Sequence, residues 1–150
     1  MAGIFRKSIF GASYPDTWDG NPDHEAYEEE VRRRIEEEFD PEVYIIRSRR
    51  LFEFQDGVEI CPDIVVLLKH GQGEQYACVV DAKFRSRLEV GHVRKVVEYQ
   101  RRLDAPDARL YIPTACHVQV GARGLANEKG IRIVNDLEAF GAEPPADDFT

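Results

Sequence analysis

The sequence predicts an α/β domain, a mixed central sheet flanked by helices, and three observations lead there. Ile64–Leu68 is continuously apolar and Tyr76–Val80 nearly so, as strands covered on both faces must be. Tyr27, Val31, Ile35 and Phe39 recur every fourth residue, which lays one apolar stripe along a helix. Downstream of the two apolar strands, helical and extended patterns alternate, giving the order α-β-β-β-α-β-α-β. A chain of 150 residues suits one domain. That length buries roughly 70% of the surface its unfolded form exposes, enough for a core without covalent staples.

Taken in order, residues 1–20 show no period but carry Phe5, Phe10, Tyr14 and Trp18 among glycines and turn residues. They read as an N-terminal arm, either frayed or packed on the domain, or used for dimerisation or docking. A helix starts at Asn21-Pro22-Asp23, where Asn21 or Asp23 can cap it and acids in the first turn suit its dipole. It runs through Glu38 and ends at Asp40-Pro41, since proline disfavours helix in the residue before it. Val43–Ile46 reads as a strand, and Leu51–Phe54 as a short extended piece before the Asp56-Gly57 turn.

The two central strands follow, joined by a glycine turn at Gly71-Gln72-Gly73. Leu88–Leu103 is helical in pattern, with Val90, Val93, Val96, Val97, Gln100 and Leu103 on one side and Asp104-Ala105-Pro106 as the stop. Arg109–Ala115 is a strand, Ala122–Glu128 a short helix closed by Gly130, and Ile131–Val134 a final strand. Leu137–Phe140 makes a last helical turn, and 141–150, rich in proline and acid, reads as a disordered tail. The domain proper therefore occupies 21–140.

Composition excludes several classes. Three cysteines, Cys61, Cys78 and Cys116, at unrelated spacings and with no Cys-x-x-Cys pair, argue against a disulfide framework and a thiolate zinc site. That usage points to the cytoplasm. The N-terminus lacks the apolar stretch of a signal peptide, and no apolar run is long enough to span a bilayer. A net charge of −8 counts against a simple nucleic-acid coat protein. The distribution softens this: Lys83, Arg85, Arg87, Arg94, Lys95, Arg101 and Arg102 face only Glu89 and Glu98 between 83 and 102. Arg47, Arg49 and Arg50 form a smaller basic group upstream. Either cluster taken alone is ordinarily a solvated face.

Chemistry concentrates at the ends of the central strands. Side chains alternate along a strand, so Asp81 and Lys83 share a face while Ala82 points to the other. A hairpin brings Asp63, at the start of one strand, alongside Asp81, at the end of the next. Two carboxylates and an ammonium at the edge of an apolar sheet make chemical sense around a divalent cation, typically held by one or two carboxylates, water and substrate phosphate. Such an ion supplies an activated water and clamps phosphodiester oxygens, and a neighbouring lysine adds positive charge for the transition state. The backbone carbonyl of Ala82 is a further candidate ligand. Alone, Asp63 would be a turn acid and Asp81 with Lys83 a strand-end ion pair. Their joint order on apolar strands before a basic helix favours the site.

Pro62-Asp63, then Val79-Val80-Asp81-Ala82-Lys83-Phe84-Arg85, resembles the PD-(D/E)XK nuclease superfamily with its restriction-endonuclease-like fold. Tyr27-Glu28-Glu29-Glu30-Val31 looks like the aromatic-Glu-x-x-Val helix of Mrr-type members. The segment Gly121–Ile133 resembles the closing alanine-built helix and Gly-Ile-x-Ile strand of Mrr-type and Holliday-junction-resolvase-like domains. Asp81 stands where Mrr-type members often carry Gln or Glu.

The resemblance, over roughly 22–138, implies a Mg²⁺-dependent (or Mn²⁺-dependent) DNA endonuclease acting in restriction, phage defence, recombination or repair. It implies Asp63, Asp81 and Glu28, with the Ala82 carbonyl, around the metal and Lys83 as activator. The other acids of the helix, Glu25, Glu29 and Glu30, rival Glu28. Arg85, Arg87, Arg94 and Lys95 would contact DNA phosphates, and Gln100 is a further substrate-binding candidate, with a semi-buried structural amide as its alternative. Tyr99 reads as packing and His117 as an ordinary loop histidine. DNA is the expected partner, with a homodimer or a targeting protein supplying specificity and no membrane involved. Two other readings stay open: a non-catalytic nucleic-acid-binding or assembly subunit, and a nuclease acting on RNA or branched DNA.

Overall fold

A computed structural model of the chain describes residues 22–135. The expected arm, the last helical turn and the acidic tail lie outside the described residues.

The first helix, α1 (Pro22–Glu38), places proline in its first turn, where a missing N–H costs nothing. Its stripe does what the spacing predicts: Tyr27, Val31 and Ile35 are buried, and Phe39 beyond its end packs edge-on against Tyr44. The strands β1 (Tyr44–Ser48), β4 (Ile64–Leu68) and β5 (Tyr76–Ala82) form an antiparallel set, with the short β2 (Phe52–Glu53) and β3 (Glu59–Ile60) as a separate ribbon. That ribbon turns at Asp56-Gly57, where Gly57 takes a φ of +88° and the Asp56 carboxylate accepts from the Val58 N–H at 3.2 Å.

Two crossovers follow. β6 (Arg87–Leu88) leads into α2 (Val90–Leu103), and β7 (Asp107–Tyr111) then pairs parallel with β5. β8 (His117–Val118) leads into α3 (Val120–Lys129), and β9 (Arg132–Val134) pairs parallel with β7. The main sheet therefore has the order β1-β4-β5-β7-β9, mixed in direction, and β6 and β8 form a two-residue parallel ribbon beside it. With the two ribbons set aside, the chain order is the expected α-β-β-β-α-β-α-β.

Alternation along each strand divides the core into two layers. Ile64, Val66, Cys78, Val80 and Ala82 face α1, together with Phe84 and Tyr111. Val65, Leu67, Val79, Ala108 and Leu110 face the layer formed by α2 and α3. Burial of Ile64, Val65, Val66 and Leu67 on both sheet faces explains why β4 reads as an unbroken apolar run.

Several expected boundaries shift. The helix predicted from Leu88 begins at Val90, because Arg87 and Leu88 pair with His117 and Val118. Its buried side holds Val93, Val96, Tyr99 and Leu103, so Tyr99 belongs to the stripe and Gln100 lies off it. The strand predicted over Arg109–Ala115 runs from Asp107 to Tyr111, because it starts in register with Cys78 and ends with Ala82. The last strand starts at Arg132, just after Gly130 closes α3 at φ +75° with its N–H on the Ala126 carbonyl. Among the described residues, no helix is long and apolar enough to cross a membrane.

Candidate active site

The antiparallel register pairs Ile64 with Val80, so one step outward Asp63 stands opposite Asp81. Two contacts close that step. The Ala82 N–H donates to Asp63 Oδ2 at 2.8 Å, and the Asp63 N–H donates to Asp81 Oδ1 at 3.3 Å. The two acids are thus fixed to each other's backbones across the strand pair. Asp81 shares the sheet face of Val79 and is only 2% exposed. Its Oδ2 accepts no hydrogen bond, and the Lys83 ammonium stands 3.5 Å away. Lys83 is itself held by its N–H on the Tyr111 carbonyl at 2.9 Å, which extends the parallel ladder one residue past β5.

Electrostatics follow from this geometry. Burial, reinforced by the charge of Asp63 and opposed by Lys83, pushes the Asp81 carboxyl up to about 7. Burial also raises Asp63, with Glu28 adding to the effect, against the Ala82 N–H that favours its charged form. Both acids are therefore held in surroundings that disfavour their anions, and a cation would reverse that.

The pair lies on the floor of a cleft of about 640 Å³ between α1 and α2. α1 contributes His24 and Glu28, α2 contributes Lys95, Glu98 and Tyr99, and the β2–β3 ribbon with its flanks contributes Val58 to Cys61. A second hollow of about 280 Å³ opens on the α1 side and shares Glu28, Arg49, Asp63 and Ala82 with the first. Tyr99 is buried, and burial with the charges of Asp81 and Asp63 raises its phenol.

The structure brings Glu28, Asp63, Asp81, Ala82, Lys83 and Lys95 to one cleft. Glu28 arrives engaged: one oxygen meets the Arg49 guanidinium and the other lies 3.7 Å from His24 Nε2. Its rivals Glu25 and Glu29 line the smaller hollow and not the larger cleft, and Glu30 pairs with Arg33. Gln100 is a correction. Its amide donates to the Ala105 carbonyl at 3.0 Å and closes the C-terminus of α2, so it is not among the residues of the cleft.

Arg85, Arg87 and Arg94 also lie outside the cleft wall. Arg87 sits 3.8 Å from Glu89, Arg85 adds its charge to the burial that lowers His92, and Arg94 is exposed. The basic run is further thinned at its far end, where Arg101 and Arg102 bind Glu98, and Arg102 also holds Asp56 at 2.7 Å. His117 is exposed in β8.

Sequence reasoning missed His24, and it read Arg49 only as one of a small basic group, not as the partner of Glu28. The signal for His24 was its place one turn before Glu28. The pairing of Arg49 gave none, because its backbone lies at φ +54°, a left-handed conformation unusual for a side chain of this size, and Glu28 is 21 residues away. Among the described residues, no group of three or more His, Cys, Asp or Glu side chains is arranged to hold a metal ion. Two carboxylates with a carbonyl and water suffice for a hard divalent cation, and Asp63 and Asp81 with the donor-free Asp81 Oδ2 fit one.

No family model matches the chain. No curated protein matches it. Among solved structures, a protein of unknown function designated AF1548 is similar at 18% identity with a TM-score of 0.46. The match covers 71% of this chain and 56% of that one. The chain thus spans little more than half the length of that neighbour.

Proposed function

We propose that this chain is a divalent-metal-dependent phosphodiesterase, a DNA endonuclease with a restriction-endonuclease-like fold of the PD-(D/E)XK type, in a cytoplasmic setting. One observation carries the proposal: Asp81 Oδ2 is buried without a hydrogen-bond donor, opposite Asp63 and 3.5 Å from the Lys83 ammonium, on the floor of an open cleft. A saturated structural ion pair would leave no such oxygen. Asp63 and Asp81, with the Ala82 carbonyl, would hold Mg²⁺ or Mn²⁺, and the bound ion would supply water activation and charge neutralisation at phosphate.

The protein's own groups do the rest. Lys83 sets a positive charge beside Asp81 at the point where charge develops on the phosphoryl oxygens. Lys95, on the α2 wall, meets a backbone phosphate within the cleft. Arg85, Arg87 and Arg94 reach only DNA beyond it. Glu28 is a third acid near Asp63, available once Arg49 leaves it.

The test is cleavage of linear, circular, nicked, branched and single-stranded substrates with Mg²⁺ by the parent, Asp81→Asn and Lys83→Ala. Both variants should keep the parental circular dichroism and lose at least about a hundredfold in rate, the scale of removing one electrostatic stabiliser. A Lys83→Ala protein that cuts at the parental rate overturns the assignment. The substrate that is cut fastest separates duplex DNA from branched DNA.

A further inference from the structure

Arg49 is the cation that the proposed chemistry does not use, and its placement is specific. Its N–H donates to the Asp63 carbonyl at 3.0 Å, so the arginine hangs from the backbone of one of the two central acids. At φ +54° its backbone is in a conformation that a non-glycine residue adopts at a cost. From there the side chain borders both hollows, and its guanidinium closes on Glu28 Oε1. Glu28 is 14% exposed at its side chain and Arg49 is 54% exposed, so the acid is held in the wall while the guanidinium remains reachable from solvent.

Charge balance gives this pair a role. The cleft wall carries five acids, Glu28, Glu59, Asp63, Asp81 and Glu98, against Arg49, Lys83 and Lys95, and so falls two positive charges short. A divalent cation between Asp63 and Asp81 would supply that charge beside Glu28, whose carboxylate already bears on Asp63, and so compete with Arg49 for it. Lys83, part-buried beside Asp81, stays, whereas the more exposed Arg49 can leave. A guanidinium released beside a cleft has an obvious acceptor in a phosphodiester, which it can bind through two parallel hydrogen bonds.

We infer that Arg49 is an exchangeable counter-ion: it neutralises Glu28 while the acids hold no metal, and moves to a substrate phosphate when a divalent cation binds between Asp63 and Asp81. The inference rests on the metal-site reading above, so its test must separate the two. Mn²⁺ affinity is measured by calorimetry on the parent, Arg49→Gln, Arg49→Gly, Arg49→Lys and Asp81→Asn. Glycine suits the left-handed backbone, which guards against a folding defect in the glutamine variant.

Removing the competing charge should tighten Mn²⁺ binding about three- to fivefold in Arg49→Gln and Arg49→Gly, the equivalent of an exposed ion pair. Arg49→Lys should stay near the parent. In Ca²⁺, binding of a short DNA duplex should weaken roughly tenfold in Arg49→Gln, the scale of a lost charge-assisted phosphate contact. Unchanged or weaker Mn²⁺ binding in Arg49→Gln and Arg49→Gly, with Asp81→Asn still impaired, overturns the counter-ion role and leaves the metal site standing. Mn²⁺ affinity that Asp81→Asn does not reduce removes both.

Discussion

Two charged clusters occupy β5, β7 and their neighbours, and they are built from the same ingredients to opposite effect. On the α1 face, Arg109 is 3% exposed and fully engaged: its guanidinium donates to both Glu38 oxygens at 2.7 and 2.6 Å and to Asp107 at 2.9 Å. It also lies 5.4 Å over the Phe39 ring, and Arg132 adds a further bond to Asp107 at 3.2 Å. On the other face, Asp81 is equally buried but keeps one oxygen without a donor.

The acids respond accordingly. Hydrogen bonds from Arg109 lower Glu38. Burial would raise Asp107, but the bonds from Arg109 and Arg132 overcome it and lower it. Asp81 goes the other way. A buried charge whose partners are complete belongs to the architecture, and one left incomplete points to a ligand.

The largest effect that would sharpen this contrast is in the saturated cluster. Arg109→Met should cost about 3 kcal/mol in urea unfolding, the low end for breaking a buried ion pair because Glu38 and Asp107 keep contact with water. Asp81→Asn should do the reverse, raising the stability of the metal-free protein by about 1 kcal/mol, since it removes a buried charge that the Asp63 N–H and the Lys83 ammonium at 3.5 Å offset only in part. Loss of stability in Asp81→Asn would place that acid with the structural ones and erase the contrast.

A smaller effect concerns acid. Because the folded pKa values of Glu38 and Asp107 lie below their ordinary 4.5 and 3.8, the stability they contribute is present above those ordinary values and lost as pH falls below them through the folded values. The parent should therefore lose more stability than Arg109→Met on acidification below about pH 4.5, measured by urea midpoint at each pH. Parallel pH curves would mean that Arg109 does not hold those carboxylates.

Much of this was legible beforehand, and the reason is local. The apolar runs of β4 and β5 and the four-residue spacing of α1 record burial directly, so the central hairpin, the order of elements along the chain and the meeting of Asp63 with Asp81 follow from periodicity and one glycine turn. The ribbons β2–β3 and β6–β8 are two residues long and carry no period to read. Arg109 looks like any strand-end cation because its partner Glu38 is 71 residues away. The Arg49–Glu28 pair is hidden for a similar reason, with 21 residues of separation and a backbone conformation that composition does not announce. Gln100 misled because a helix position near the apolar side does not distinguish a substrate amide from one that closes the helix on Ala105.

The central claim, that Asp63 and Asp81 together grip one divalent cation, is tested most directly by anomalous diffraction from crystals grown with Mn²⁺. The account predicts a peak between the two carboxylates, beside Ala82 and in reach of a water from the cleft. A peak elsewhere, or none while both acids keep the contacts described here, would contradict it.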